Sequence, residues 1–116
     1  GVYFHTRYKE NGRPTYGYEA QINASRKGES KTGSLVGVNE IKTAAHKDNE
    51  WFSYYIKVDD NKVTIKVNDE IVNEYTEPDN ATGPASLGRG TIAFEAIGSD
   101  SRVMLRNPMI RVLPDK

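Results

Sequence analysis

The chain contains no cysteine, which excludes disulfides, thiolate metal sites and a cysteine nucleophile together. It has no long apolar run either, since Val2-Tyr3-Phe4 and Ile92-Ala93-Phe94 fall far short of the ~18 residues of a membrane span. Charge of one sign is not in excess: 16 Lys plus Arg balance 16 Asp plus Glu, so the electrostatic footprint of a nucleic-acid or anionic-membrane binder is missing. Two histidines, His5 and His46, form no ligand spacing, and Asp59-Asp60-Asn61 and Asp79-Asn80 read as turn chemistry before calcium ligands. Neither a metal nor a cofactor is expected. No Gly-Lys-Ser/Thr follows Gly33 or Gly37, no nucleophilic serine motif occurs, and there is no internal repeat, heptad or long helical period.

What the chain does have is short-period alternation. Its 116 residues suit one domain with one core. Val2 to Tyr8 sets Val2, Phe4 and Thr6 against Tyr3, His5 and Arg7, a strand pattern, and Asn11-Gly12 marks the turn that follows. Gly17 to Asn23 then places Tyr18, Ala20 and Ile22 on one face and Glu19 and Gln21 on the other. Antiparallel sheets commonly show one wet face with no function, so alternation alone does not make this pair a site.

Further strands are expected over Gly33 to Val38, Thr91 to Ile97, and Arg102 to Leu113 with a bulge at Pro108. Trp51 to Tyr75 reads as a three-stranded meander, turned at Asp59-Asp60-Asn61 and Asn68-Asp69, with Ile71, Asn73 and Tyr75 continuing its apolar face. Trp51 is expected in the sandwich packing, Thr43 to His46 as one helical turn, and Glu77 to Gly90, with two prolines, as loop. Short strands with frequent turns indicate an all-β antiparallel β-sandwich. Gly1 opens directly into strand-like sequence, so the chain is expected to begin inside a longer one.

Several stretches together resemble the 3-keto-disaccharide hydrolase domain family. They are Gly1-Val2-Tyr3-Phe4, Gly17-Tyr18-Glu19-Ala20-Gln21-Ile22, Thr32-Gly33-Ser34-Leu35, Glu50-Trp51, Val67-Asn68-Asp69, Tyr75-Thr76-Glu77-Pro78, Gly90-Thr91-Ile92-Ala93 and Leu105-Arg106-Asn107. The resemblance implies a concanavalin A-like jelly roll, further strands ahead of Gly1 or a partner strand from another chain, a carbohydrate ligand, and work outside the cytoplasm, periplasmic or secreted. Residues 1–116 would then be the central and C-terminal part of a longer domain. The sequence departs from the family pattern at His5, where an arginine is frequent, and at Glu95 and Ile97, which stand in place of a glutamine and a histidine.

The implied substrate is a glycoside oxidised at C3. Its ketone acidifies the C2 proton, so cleavage needs a base, a donor for the enolate oxygen and an acid for the leaving group. The resemblance makes Glu19 the candidate base, Arg7 or Arg106 the enolate stabiliser, His5 or Glu95 the acid, and Gln21 and Tyr3 sugar-binding residues. A direct hydrolase with Glu19 and Glu95 flanking the bond is the other catalytic version. A non-catalytic carbohydrate-binding module is the alternative outside catalysis, since one fold hosts many functions. A structural sandwich domain of a larger protein is the third.

Overall fold

The computed structural model describes residues 1–28, 30–81 and 86–114. Among them there is no helix, and six strands form two antiparallel sheets: β1 (Val2–Thr6), β2 (Tyr18–Ala20), β3 (Tyr54–Asp59), β4 (Lys62–Val67), β5 (Glu70–Thr76) and β6 (Thr91–Phe94). One sheet has the order β2-β1-β6, the other β3-β4-β5. The molecule is an all-β sandwich. A jelly roll takes about eight strands, so that circuit stays an expectation.

The core lies between the sheets. Phe4, Tyr18 and Ala20 meet Val63 and Ile65 around the fully buried Leu35, with Tyr54, Ile56, Val58, Val72 and Tyr75 at the margin. The meander folds as its sequence dictates. Asn68 and Asp69 both adopt positive φ (50° and 66°), the two-residue hairpin geometry that asparagine and aspartate tolerate. Opposite Ile65 and Lys66, β5 carries one extra residue, Val72. This bulge reverses the phase of the strand and turns Ile71, expected inward, to 56 % exposure.

Two loops close the sandwich through buried polar contacts. The segment after β2 makes isolated bridges through Leu35 to Ala20 and Asn39 in place of the strand expected over Gly33 to Val38. Its glycines at positive φ, Gly33 (99°) and Gly37 (75°), curl it back instead of extending it. Asn73 holds the loop, with Nδ2 donating to the Gly33 carbonyl (2.9 Å) and the Asn39 carbonyl (3.1 Å) and Oδ1 accepting from Asn39 Nδ2 (2.7 Å). Glu77 does the same on the other side, accepting Tyr18 Oη–H and the Leu87 amide, both at 2.6 Å. Residues 82–85 of the expected Glu77 to Gly90 loop lie outside the described residues.

Three further expectations are corrected. Thr43 to His46 forms no helical turn; His46 instead stacks on Phe52 (3.9 Å between centroids) and contacts Thr32 Oγ1 at 2.7 Å. Arg102 to Leu113 forms no strand, and Met109, Ile110 and Val112 are exposed, because among the described residues no neighbouring backbone completes a ladder for them. Trp51 precedes β3, is half exposed, and has the Arg106 guanidinium 4.2 Å above its ring.

Candidate functional site

The pairing of β2, β1 and β6 assembles a row of side chains on the face opposite the core. Tyr3 stands opposite Glu19 on one side and Ala93 on the other, while the adjacent Phe4 and Tyr18 turn inward. Alternation carries that row past the end of β6: the Glu95 amide donates to the Gly1 carbonyl (2.9 Å), which keeps Glu95 beside Tyr3. The buried Tyr3 hydroxyl donates to Glu95 Oε2 at 2.9 Å and also reaches the Glu19 carboxyl. Two carboxyl groups far apart in sequence therefore flank one phenol.

The cleft beside them has a volume of about 370 Å³. Tyr3, Arg13, Ala93, Glu95 and Ile97 line it. Its size is at the lower end for ligand pockets, ~300–1,000 Å³.

Electrostatics distinguishes Glu19. Half-burial pushes its carboxyl above the usual glutamate range and the nearby Glu95 charge adds to this, while the Tyr3 hydroxyl and Arg13 oppose the shift. Tyr3 is pushed far above the ordinary phenol range, first by burial and then by its bond to Glu95. It therefore keeps its proton and serves as a hydrogen-bond donor.

Of the residues expected at the site, Tyr3, Glu19 and Glu95 come together. His5 takes positive φ (56°) at a bulge where Phe4 and His5 together face one residue of β6, so the alternation that aligned it with Tyr3 breaks. Its Nδ1 donates to the Gly88 carbonyl at 2.5 Å. Arg7 stacks over Tyr16 (4.2 Å) and Arg106 over Trp51. Gln21 ends the row: its backbone carbonyl accepts from Tyr54 Oη (2.7 Å) and the Gly33 amide (3.2 Å), and its Oε1 accepts the Ile22 amide (3.1 Å). Among the described residues no three His, Cys, Asp or Glu side chains are placed to hold a metal ion.

Arg13 was not among the sequence candidates, yet its Nε lies 3.6 Å from Glu95 Oε2. It sits on the β1–β2 connection, whose base is closed by the Arg7–Thr15 amide and carbonyl pair (2.6 and 3.1 Å). The only signal for it was the Asn11-Gly12 turn just before it, which marks a loop without saying where the loop leans.

Comparison with protein families gives a match over residues 1–111 to the model described as 3-keto-alpha-glucoside-1,2-lyase-like domain. Neither a curated protein nor a solved structure matches the chain.

Proposed function

Since the chain belongs to the 3-keto-alpha-glucoside-1,2-lyase-like domain family, we propose that it cleaves glycosides whose sugar carries a ketone at C3, by removing the C2 proton. The observation that supports this most is the Glu19 carboxyl, half-buried beside Glu95 on the open face. A general base works best when its pKa approaches the operating pH, and burial with a like charge moves a glutamate in that direction.

The chemistry runs as follows. The Glu19 carboxylate takes the C2 proton; the C–H electron pair forms C2=C3 and the ketone oxygen becomes an enolate oxygen. Collapse re-forms the C3 ketone, makes C1=C2 and breaks the C1–O bond. The leaving oxygen takes its proton from the Glu19–Glu95 carboxyl pair, because Tyr3 holds its own too firmly to release it. Addition of water across C1=C2 turns the eliminated sugar into the hydrolysis product.

The same carboxyl pair also suits direct hydrolysis of an unoxidised glycoside, where one carboxyl with raised pKa is the acid. Supplying the protein with methyl 3-keto-α-glucoside and with methyl α-glucoside separates the two. Release of methanol from the ketone alone is the expected result; equal release from both would replace elimination by direct hydrolysis. The resemblance to glycoside-processing domains also supports a place outside the cytoplasm, which cell fractionation would test.

A further inference from the structure

Elimination through an enolate leaves the site short of positive charge. Glu19 must be ionised to act as a base, Glu95 lies beside it, and the negative charge that Glu19 gives up on taking the proton reappears on the sugar oxygen. Tyr3 offers a single hydrogen, already donated to Glu95. Three other arginines are engaged elsewhere: Arg7 on Tyr16, Arg106 on Trp51, and Arg26 donating to the Ile97 carbonyl and Ser101 Oγ.

Arg13 is different. Among the described residues its guanidinium makes no hydrogen bond, and its one charged contact is the 3.6 Å approach of Nε to Glu95. The side chain is 65 % exposed, against 19 % for Glu95, so it reaches into the cleft from the rim. The backbone beneath it is constrained on both sides. Gly12 takes positive φ (101°), and Pro14 fixes its own φ and restricts Arg13 to an extended conformation. With the arm closed at its base by Arg7–Thr15, the guanidinium stands at the rim of the cleft with donors left for a ligand.

We propose that Arg13 is a catalytic residue that binds the C3 ketone oxygen and stabilises the charge it acquires as C2 loses its proton. This rests on the lyase reading above. It also defines the substrate class. Two carboxyl groups facing one guanidinium repel a sugar acid, so the preferred substrate is a neutral keto-sugar, and a uronate bearing its own carboxylate is excluded. Because the enolate charge exists in full only after proton transfer, Arg13 contributes to kcat more than to KM.

The test is steady-state turnover of methyl 3-keto-α-glucoside by the wild-type chain, Arg13→Ala and Arg13→Lys, with thermal melting of each. Arg13→Ala is expected to lower kcat about 10²- to 10³-fold, the range for loss of one oxyanion donor, with KM and melting temperature little changed because the side chain is exposed. Arg13→Lys is expected to recover part of the rate, since it keeps the charge but loses the planar fork. The acid limb of the kcat/KM profile is expected to move to higher pH in Arg13→Ala, because Arg13 opposes the upward shift of Glu19. A kcat for Arg13→Ala within about threefold of wild type would overturn the assignment and leave the lyase reading standing. A rate loss that Lys does not relieve, together with a lowered melting temperature, would make Arg13 structural and overturn it as well. No turnover by the wild type would overturn the lyase reading and this assignment with it.

Discussion

Glu19→Gln is expected to lower turnover of a 3-keto-glucoside by about 10²- to 10⁴-fold, the contribution of a positioned general base, while making the fold more stable at neutral pH. The two effects share one cause. Burial and the Glu95 charge raise the Glu19 pKa in the folded state, so the folded protein binds that proton more tightly than the unfolded chain. Stability from this group is complete below the ordinary glutamate pKa of about 4.3 and is lost as pH rises through the higher folded value. At pH 7 the ionised carboxylate is therefore a burden that the neutral amide removes. The melting temperature of Glu19→Gln should exceed that of wild type at pH 7, and the difference should shrink toward pH 4. Normal turnover would remove Glu19 as the base, whereas a lowered melting temperature at pH 7 would mean that the carboxylate is held by favourable contacts and is not strained.

Asn73→Leu is expected to lower stability by ~3 kcal/mol, because it removes the side-chain donor to the Gly33 carbonyl and takes one of two partners from the Asn39 carbonyl and from the Asn39 side-chain amide. For a chain of this size that corresponds to a fall of roughly 10–20 °C in melting temperature. Asn73→Asp keeps the shape but turns the donor into an acceptor facing two carbonyls, so it should be at least as damaging at neutral pH. The consequence extends to the site. The loop that Asn73 holds runs along the free edge of β2, where Val36 donates to the Glu19 carbonyl (3.0 Å) and Gln21 to Ser34 (3.0 Å). Releasing it should loosen the strand that positions Glu19, so Asn73→Leu should also reduce kcat. A change in chemical-denaturation free energy below ~1 kcal/mol would show the clamp to be replaceable by water.

The parts of this architecture legible in the sequence are those fixed by local rules. Two-residue turns at Asp60-Asn61 and Asn68-Asp69 and alternation in Val63, Ile65 and Val67 specify the meander, and both are found. The Tyr18 to Ile22 alternation puts Tyr18 and Ala20 in the core and Glu19 outside it. Alternation fails wherever the backbone adds a residue. One bulge at His5 detaches it from the Tyr3 row, and another at Val72 exposes Ile71, and neither leaves a mark that a period-two reading detects. Apolar pattern without a pairing partner misleads in the same way over Arg102 to Leu113.

The site was legible only where the sheet builds it. Tyr3, Glu19 and Glu95 lie on strands or one residue past them, so the register that pairs Tyr3 with Glu19 brings the row together. Arg13 lies on a connection, and a connection's direction depends on tertiary contacts such as Arg7–Thr15 that no local pattern encodes. The cations expected at the site, Arg7 and Arg106, had the right charge, but each has an exposed aromatic ring within reach and stacks on it.

The central claim, that Glu19 removes the C2 proton before the glycosidic bond breaks, is tested most directly by following the C2 hydrogen of methyl 3-keto-α-glucoside during turnover in D₂O. The account predicts that the released sugar has lost its original C2 hydrogen, through C1=C2 formation or through deuterium taken up on hydration, and that Glu19→Gln abolishes the loss. Release of methanol with the C2 hydrogen fully retained would contradict it.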